Sequence, residues 1–141
     1  MVTSLGIVRD AESDSTGAFQ SVQTSLRKAS LLVPSDPTLP TKTSLKVNIF
    51  ILPGNNSLGM LETLLLRAVS SDPAVNCVDS FIECIKREAQ YTPNPIDKAK
   101  ALAYLASKEQ IKPLIGHAAR AGYWNFDDST YDQLKNFIRS L

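Results

Sequence analysis

Three carboxylates, those of Asp10, Glu12 and Asp14, alternate along one short turn near the start of the chain. Hard divalent ions such as Mg²⁺ are bound by one or two carboxylates, and water and phosphate oxygens complete their coordination. Alternating acids in a turn can direct two or three carboxylates at one point, which predicts a metal site. Asp and Ser also favour such turns for purely local reasons, so an ordinary capping loop is the alternative.

The pattern around the acidic turn predicts strand, loop and helix, repeated twice. The apolar run from Ser4 to Arg9 predicts a buried strand, and the three- and four-residue spacing of apolar side chains over 18–29 predicts a helix capped by Ser15 or Thr16. Residues 46–52 are rich in β-branched and aromatic side chains and predict a second strand. The apolar run over 58–66 predicts an interior helix.

The loop after the second strand, Pro53 to Ser57, offers a second candidate site. In a parallel sheet the loops at the carboxyl ends of the strands form the functional edge, and both candidate loops lie there. Asn56 or Ser57 is expected to cap the following helix. If it does, Asn55, Asn56 and Ser57 are candidate anion-binding residues of a small-molecule module.

The second half of the chain is predicted to be rich in helices. Asp72-Pro73 is a typical helix start, and further helices are expected over residues 96–106, 113–123 and 131–141, the last capped by Asp127 or Asp128. Two strands with five or six helices predict an α/β fold with a small parallel sheet flanked by helices. Because a two-stranded sheet is thin, we expect further strands near residues 31–33, a longer ancestral domain, or a homodimer or partner chain that completes the sheet.

Composition limits the class of protein. A chain of 141 residues with 43% hydrophobic residues predicts a single domain with a real core, over residues 1–141. Its 15 basic and 14 acidic residues nearly cancel, so a nucleic-acid partner needs a local patch. No apolar run approaches the roughly 20 residues of a membrane span, and we expect a cytoplasmic protein without membrane contact. Cys77 and Cys84 are expected to be buried, reduced thiols on one helix.

Two blocks of the sequence carry a resemblance to known families. Leu5-Gly6-Ile7-Val8-Arg9-Asp10-Ala11-Glu12 resembles the strand and Asp-x-Asp motif of TOPRIM domains, found in topoisomerases, primases and nucleases of the overcoming-lysogenization-defect (OLD) family. Residues 50–56 with 59–62 resemble an uncharacterised TOPRIM-like family related to those nucleases, as do residues 98–106 and 122–124. The resemblance covers most of the chain and implies a TOPRIM-like, Rossmann-like α/β fold.

The resemblance also implies roles for individual residues. Asp10 and Glu12 correspond to the catalytic, metal-binding acidic pair, and Glu62 is a further carboxylate near the same edge, with Mg²⁺ or Mn²⁺ as the cofactor. The implied activity is metal-dependent hydrolysis of nucleic-acid phosphodiesters.

Two departures from the TOPRIM pattern separate two functional hypotheses. Glu12 stands where the pattern has Asp, and nothing before Met1 supplies the earlier strand that ends in a catalytic Glu, so the domain is expected to be N-terminally incomplete relative to the family. The alternative to an enzyme is therefore a non-catalytic remnant or subunit that acts as a binding and interaction module.

Overall fold

The computed structural model describes residues 2–141. In that part of the chain the fold is mixed α/β, with a small parallel sheet of two strands and six α-helices. The elements are β1 Ser4–Asp10, α1 Ser15–Lys28, β2 Lys46–Leu52, α2 Leu61–Ala68, α3 Pro73–Glu88, α4 Ile96–Ala106, α5 Ile115–Arg120, a 3-10 turn Ser129–Tyr131 and α6 Asp132–Arg139. Five of the six helices follow β2, so the predicted helix-rich second half is confirmed.

The described residues group into two compact units. One contains residues 2–64 and 131–141, and the other contains residues 65–130. The single domain expected from the chain length stays a prediction.

The two strands of the first unit run parallel and in register. Ser4 lies opposite Lys46, and Asp10 lies opposite Leu52. Both strands therefore end at the same edge of the sheet, as the sequence predicted, and the loops that carry the two candidate sites leave from that edge.

One face of β2 is the centre of an apolar core. Val47, Ile49 and Ile51 are fully buried and belong to one cluster with the buried residues of α1, Ala18, Val22 and Leu26. Side chains alternate between the two faces of a strand, so these three residues share the face that α1 covers. A strand covered on both faces is apolar nearly throughout, which explains the composition of β2.

The opposite face of β2 meets α6. The Phe50 ring lies 5.4 Å from the Phe137 ring between centroids. Asn48, which is buried, donates a hydrogen bond of 2.7 Å to Ser140 Oγ, and Lys46 donates to the Ser140 carbonyl. The first unit is therefore layered as α1, sheet and α6.

The second unit is helical. Asp72 accepts a hydrogen bond of 2.9 Å from the Ala74 amide and caps α3, with Pro73 in the first turn, which confirms the predicted start. The Tyr104 ring of α4 stacks on Trp124 with a centroid distance of 5.4 Å. Gly122, with φ of +76°, follows the last turn of α5 in the left-handed conformation that glycine adopts without steric cost.

Several predicted helix caps are wrong, because the cap comes from a different residue. Asp14, and not Ser15 or Thr16, caps α1. Helix α2 begins at Leu61, and its first amide is bound by Asp10 instead of Asn56 or Ser57.

The predicted cap of the last helix is also wrong. The residue that precedes α6 is Tyr131, which makes no side-chain cap, and Asp128 instead accepts from the Thr130 amide at 2.8 Å in the turn before the helix. The predicted Asp127 cap is likewise not observed, since Asp127 lies four residues before Tyr131 in the chain.

The predicted burial of the two cysteines is wrong as well. Cys77 and Cys84 are both exposed, because the buried stripe of α3 runs through Val78 and Ile82 and both cysteines lie off it. Residues 31–33 form no strand. No helix among residues 2–141 has both the length and the apolar character needed to cross a membrane.

Replacement of Ile49 by Ala should lower the free energy of unfolding by about 3 kcal/mol, because it leaves a cavity at a position with 0% exposure. Val8→Ala is the control on the neighbouring strand. Its side chain is 48% exposed, and the loss should stay below about 1 kcal/mol. Urea unfolding monitored by circular dichroism compares the two variants. Equal losses would contradict the assignment of this face of β2 to the core.

Candidate functional site

The acidic turn leaves the sheet at the level where β2 ends. The amide of Ala11 donates a hydrogen bond of 2.9 Å to the Leu52 carbonyl, and Ala11 is buried. This bond extends the pairing of the strands by one residue. The acidic turn and the loop after β2 therefore start side by side.

Asp10 connects this turn to the start of α2. Its Oδ1 accepts a hydrogen bond of 2.9 Å from the amide of Leu61, the first residue of the helix. The first amides of a helix have no partner inside the helix, so this carboxylate satisfies one of them. A carboxylate offers about four lone-pair positions, so Asp10 keeps capacity for a further partner.

Backbone hydrogen bonds with Gly59 hold Glu12 in position. Its amide donates to the Gly59 carbonyl at 2.6 Å, and the Gly59 amide donates back to the Glu12 carbonyl at 2.8 Å. Glu12 has φ of +52°, a left-handed conformation that costs a residue with a side chain roughly 1–2 kcal/mol. The two hydrogen bonds hold this conformation and place Glu12 beside the segment that leads into α2.

Glu62 lies in the first turn of α2, next to Leu61. It is only 9% exposed, and among the residues that the structure describes its carboxylate makes no hydrogen bond or ion pair. A negative charge in the first turn of a helix is favoured by the helix dipole. Asp10, Glu12 and Glu62 are thus all tied to the start of α2.

Asp14 has a different role in the structure. Its Oδ1 accepts a hydrogen bond of 2.8 Å from the Gly17 amide and caps α1.

No group of three or more His, Cys, Asp or Glu side chains that could hold a metal ion is found among residues 2–141. A cation at this turn fits only as a water-rich site of one or two carboxylates, which is the coordination that Mg²⁺ commonly adopts in proteins.

The loop after β2 borders a cavity of about 440 Å³ that lies within the first unit. We call it the amide cavity, because five amide side chains line it: Asn48, Asn55, Asn56, Gln133 and Asn136. Its other walls are the loop around Pro37, the rings of Phe50 and Phe137, and the hydroxyls of Ser57 and Ser140. No charged side chain of the described residues lines the cavity.

The three predicted anion-binding residues have different surroundings. Asn55 accepts from the Ile51 amide at 2.9 Å and donates to the Pro37 carbonyl at 3.1 Å, so it holds the loop in place. Asn56 and Ser57 face the cavity. The anion hypothesis assumed a helix start directly after Ser57, whereas α2 begins at Leu61.

The residues on the far wall of the amide cavity were missed by the sequence reasoning. Gln133 and Asn136 come from α6 and lie three residues apart on one helix face. A signal for Asn48 was present, since it interrupts an otherwise apolar strand, where Asn is uncommon. Nothing in the local sequence of α6 indicates that its polar residues meet the end of β2.

A third polar cluster lies in the helical unit. Asp72 Oδ2 accepts from the Tyr104 hydroxyl at 2.8 Å and from Lys108 Nζ at 2.6 Å. The Lys108 hydrogen bond, together with those from Ala74 and Tyr104, lowers the pKa of Asp72 to about 2 from an ordinary 3.8. Burial raises the pKa of Tyr104. Burial alone would lower the pKa of Lys108, but its contacts with Asp72 and Tyr104 raise it above the ordinary value. These contacts connect the start of α3 with Tyr104 of α4 and with Lys108, which follows α4.

Comparison with known protein families finds one whose model matches this chain. A family model described as "Protein of unknown function (DUF3226)" matches residues 1–141, the whole chain. No curated protein and no solved structure matches the chain.

The Asp72 cluster makes stability depend on pH. The lowered pKa of Asp72 means that its contribution is complete above pH 3.8 and is lost as the pH falls through about 2. The Asp72 side chain is 30% exposed, so solvent screening reduces this contribution to about 1 kcal/mol. Asp72→Asn keeps a capping oxygen and should lower the free energy of unfolding by that amount at pH 7, but by much less near pH 2.

Urea unfolding of the wild type and Asp72→Asn between pH 7 and pH 2 measures this difference. Glu83→Gln is the control, since its ion pair with Lys86 is on the surface and its side chain is 66% exposed. A difference in the free energy of unfolding between wild type and Asp72→Asn that stays constant down to pH 2 would contradict this account of the ion pair.

The strained backbone of Glu12 predicts that Glu12→Gly stabilises the protein. Glycine adopts the left-handed conformation freely, and the gain should be about 0.5–1 kcal/mol after its greater unfolded-state entropy is subtracted. Ser30→Gly is a matched control, since Ser30 has φ of +56° after α1, away from the acidic turn. Thermal unfolding of both variants should show a similar gain. A clear loss for Glu12→Gly alone would mean that the Glu12 side chain itself holds the turn.

Proposed function

We propose that this chain, which belongs to the DUF3226 family of proteins of unknown function, is a TOPRIM-like domain that binds Mg²⁺ or Mn²⁺ at the acidic turn and hydrolyses nucleic-acid phosphodiesters. One observation carries the proposal. The hydrogen bond from the Leu61 amide to Asp10 Oδ1 brings the acidic turn and the Glu62-bearing start of α2 to one edge of the sheet.

The residues of the turn and the start of α2 would have different roles in such a site. Asp10 holds the ion with the carboxylate capacity that Leu61 leaves free, and the Leu61 amide fixes the orientation of that carboxylate. Glu62 adds a second negative charge that has no partner among residues 2–141. The backbone pairing with Gly59 positions Glu12 and keeps the turn closed against α2.

A divalent ion bound there would polarise a phosphoryl oxygen and lower the pKa of a nearby water molecule. With two carboxylates from the protein, the remaining positions around the ion are open to water and to phosphate oxygens. This open coordination is the physical reason for proposing a phosphodiester, and not a smaller neutral molecule, as the group that the site engages.

The same contacts favour a second candidate, a non-catalytic binding module. Asp10 and Asp14 both serve as helix caps, a role that needs no metal. In this candidate the acidic turn stabilises the fold, and the chain acts through a partner or a second copy of itself.

Calorimetric titration with MnCl₂ and MgCl₂ separates the two candidates. Asp10→Asn is the informative variant, because asparagine keeps the oxygen that caps α2 and removes only the charge. We expect saturable binding to the wild type and affinity at least ten-fold lower for Asp10→Asn and for Glu62→Gln. Asp36→Asn is the control, since Asp36 caps its own surface turn through Thr38 and lies outside the acidic turn.

Incubation with end-labelled single-stranded and double-stranded DNA and RNA then tests hydrolysis. Cleavage should require Mn²⁺ or Mg²⁺ and should be lost in Asp10→Asn purified in parallel, which also controls for contaminating nucleases. Absence of metal binding in the wild type would refute the proposed enzyme. Metal binding without cleavage of any substrate would favour the binding module.

A further inference from the structure

The amide cavity has the size and the composition of a ligand site. Its volume of about 440 Å³ falls in the range of roughly 300–1,000 Å³ that small-molecule sites occupy. It combines aromatic and proline walls with a small number of polar groups, as such sites do. Every residue that lines it belongs to the first unit.

Two of the amides hold the walls in place. Buried Asn48 donates to Ser140 Oγ at 2.7 Å, and Ser140 Oγ donates in turn to the Phe137 carbonyl at 2.7 Å. Asn55 joins the Ile51 amide to the Pro37 carbonyl on the other side. Asn48 and Asn55 therefore have fixed positions before any ligand arrives.

Three other amides are free to meet a ligand. Among residues 2–141, the side chains of Asn56, Gln133 and Asn136 make no hydrogen bond. Gln133 Oε1 lies close to the loop, since a Cβ atom added to Gly54 would lie 3.0 Å from it. Gln133 and Asn136 are neighbours on one face of α6 and together present donors and acceptors to the cavity.

The chemistry of these groups selects the ligand class. A lining without charged side chains gives no counter-charge to a phosphate or carboxylate, which makes an anion a poor occupant. Asn and Gln amides pair side by side with the adjacent donor and acceptor of a base edge, as they do with adenine. The half-buried Pro37 and Pro40 give the cavity an apolar surface that suits the flat face of a heterocycle, whereas Phe50 and Phe137 are almost fully buried.

We infer that the amide cavity binds a neutral, planar, hydrogen-bonding heterocycle of the nucleobase class, read by Gln133 and Asn136. This site is separate from the acidic turn and does not rest on the proposed metal-dependent activity. It also differs from an anion site at Asn55, Asn56 and Ser57, because its recognition depends on amides of α6.

Titration of ¹⁵N-labelled protein with adenosine, guanosine, cytidine and uridine tests the inference by chemical-shift changes. We expect saturable shifts with at least one nucleoside, located at residues 54–57 and along α6. Gln133→Ala/Asn136→Ala should weaken this binding at least ten-fold. Both residues are exposed and alanine is a strong helix former, so α6 stays intact. Arg139→Ala, exposed on the same helix, is the control and should bind like the wild type.

A second variant tests the cavity without altering α6. Gly54→Ala places a Cβ atom 3.0 Å from Gln133 Oε1, so the end of this exposed side chain must shift by a few tenths of an ångström. Nucleoside binding should weaken less than in the Gln133→Ala/Asn136→Ala variant, while the circular dichroism spectrum stays that of the wild type. No shifts with any of the four nucleosides, or equal affinity in the double variant, would overturn the inference. Inorganic phosphate is the competing probe. Displacement of the nucleoside by phosphate at the same residues would also overturn it, in favour of an anion site.

Discussion

The hydrogen bond between the Leu61 amide and Asp10 Oδ1 joins two parts of the chain that are 51 residues apart. It is supported by the paired backbone hydrogen bonds between Glu12 and Gly59. Together they fix the end of β1 against the start of α2. Without them the acidic turn would be a free surface loop, and Glu62 would have no fixed position relative to Asp10. The left-handed backbone of Glu12 is maintained because these bonds offset its steric cost.

The two faces of β2 explain how one small sheet borders two different sites. One face carries Val47, Ile49 and Ile51, which form the core with α1. The two strands pair in register beside this core. The opposite face carries Asn48 and Phe50, which contact α6 and form one wall of the amide cavity. The acidic turn lies at the end of the same sheet. A strand with one wholly apolar face and a second face that carries Asn48 beside Phe50 can therefore both anchor the fold and border a ligand site.

Local patterns were sufficient to predict the elements but not the contacts between them. Both strands and the start of α3 at Asp72-Pro73 follow from short-range residue preferences, and the structure confirms these elements. The predicted burial of the first strand is wrong, because β1 contains only half-buried and exposed residues. The cap of α2 could not be predicted, since its donor and acceptor are distant in sequence. The amide cavity was missed for the same reason, because Asn48 and Ser140 are 92 residues apart. The exposure of Cys77 and Cys84 depends on which stripe of α3 is covered, and a pattern with apolar residues on several sides leaves that open.

Paramagnetic broadening by Mn²⁺ locates a bound ion directly, and it tests the central role assigned to the acidic turn. In ¹H–¹⁵N spectra recorded with substoichiometric Mn²⁺, the account predicts that the amide signals of residues 10–12 and 59–62 broaden first. The signals of Ser30 and of residues 36–39 in the same unit should persist. Broadening centred on the exposed carboxylates of α3, such as Glu83 and Glu88, or no selective broadening at all, would contradict a metal site at the junction of β1 and α2.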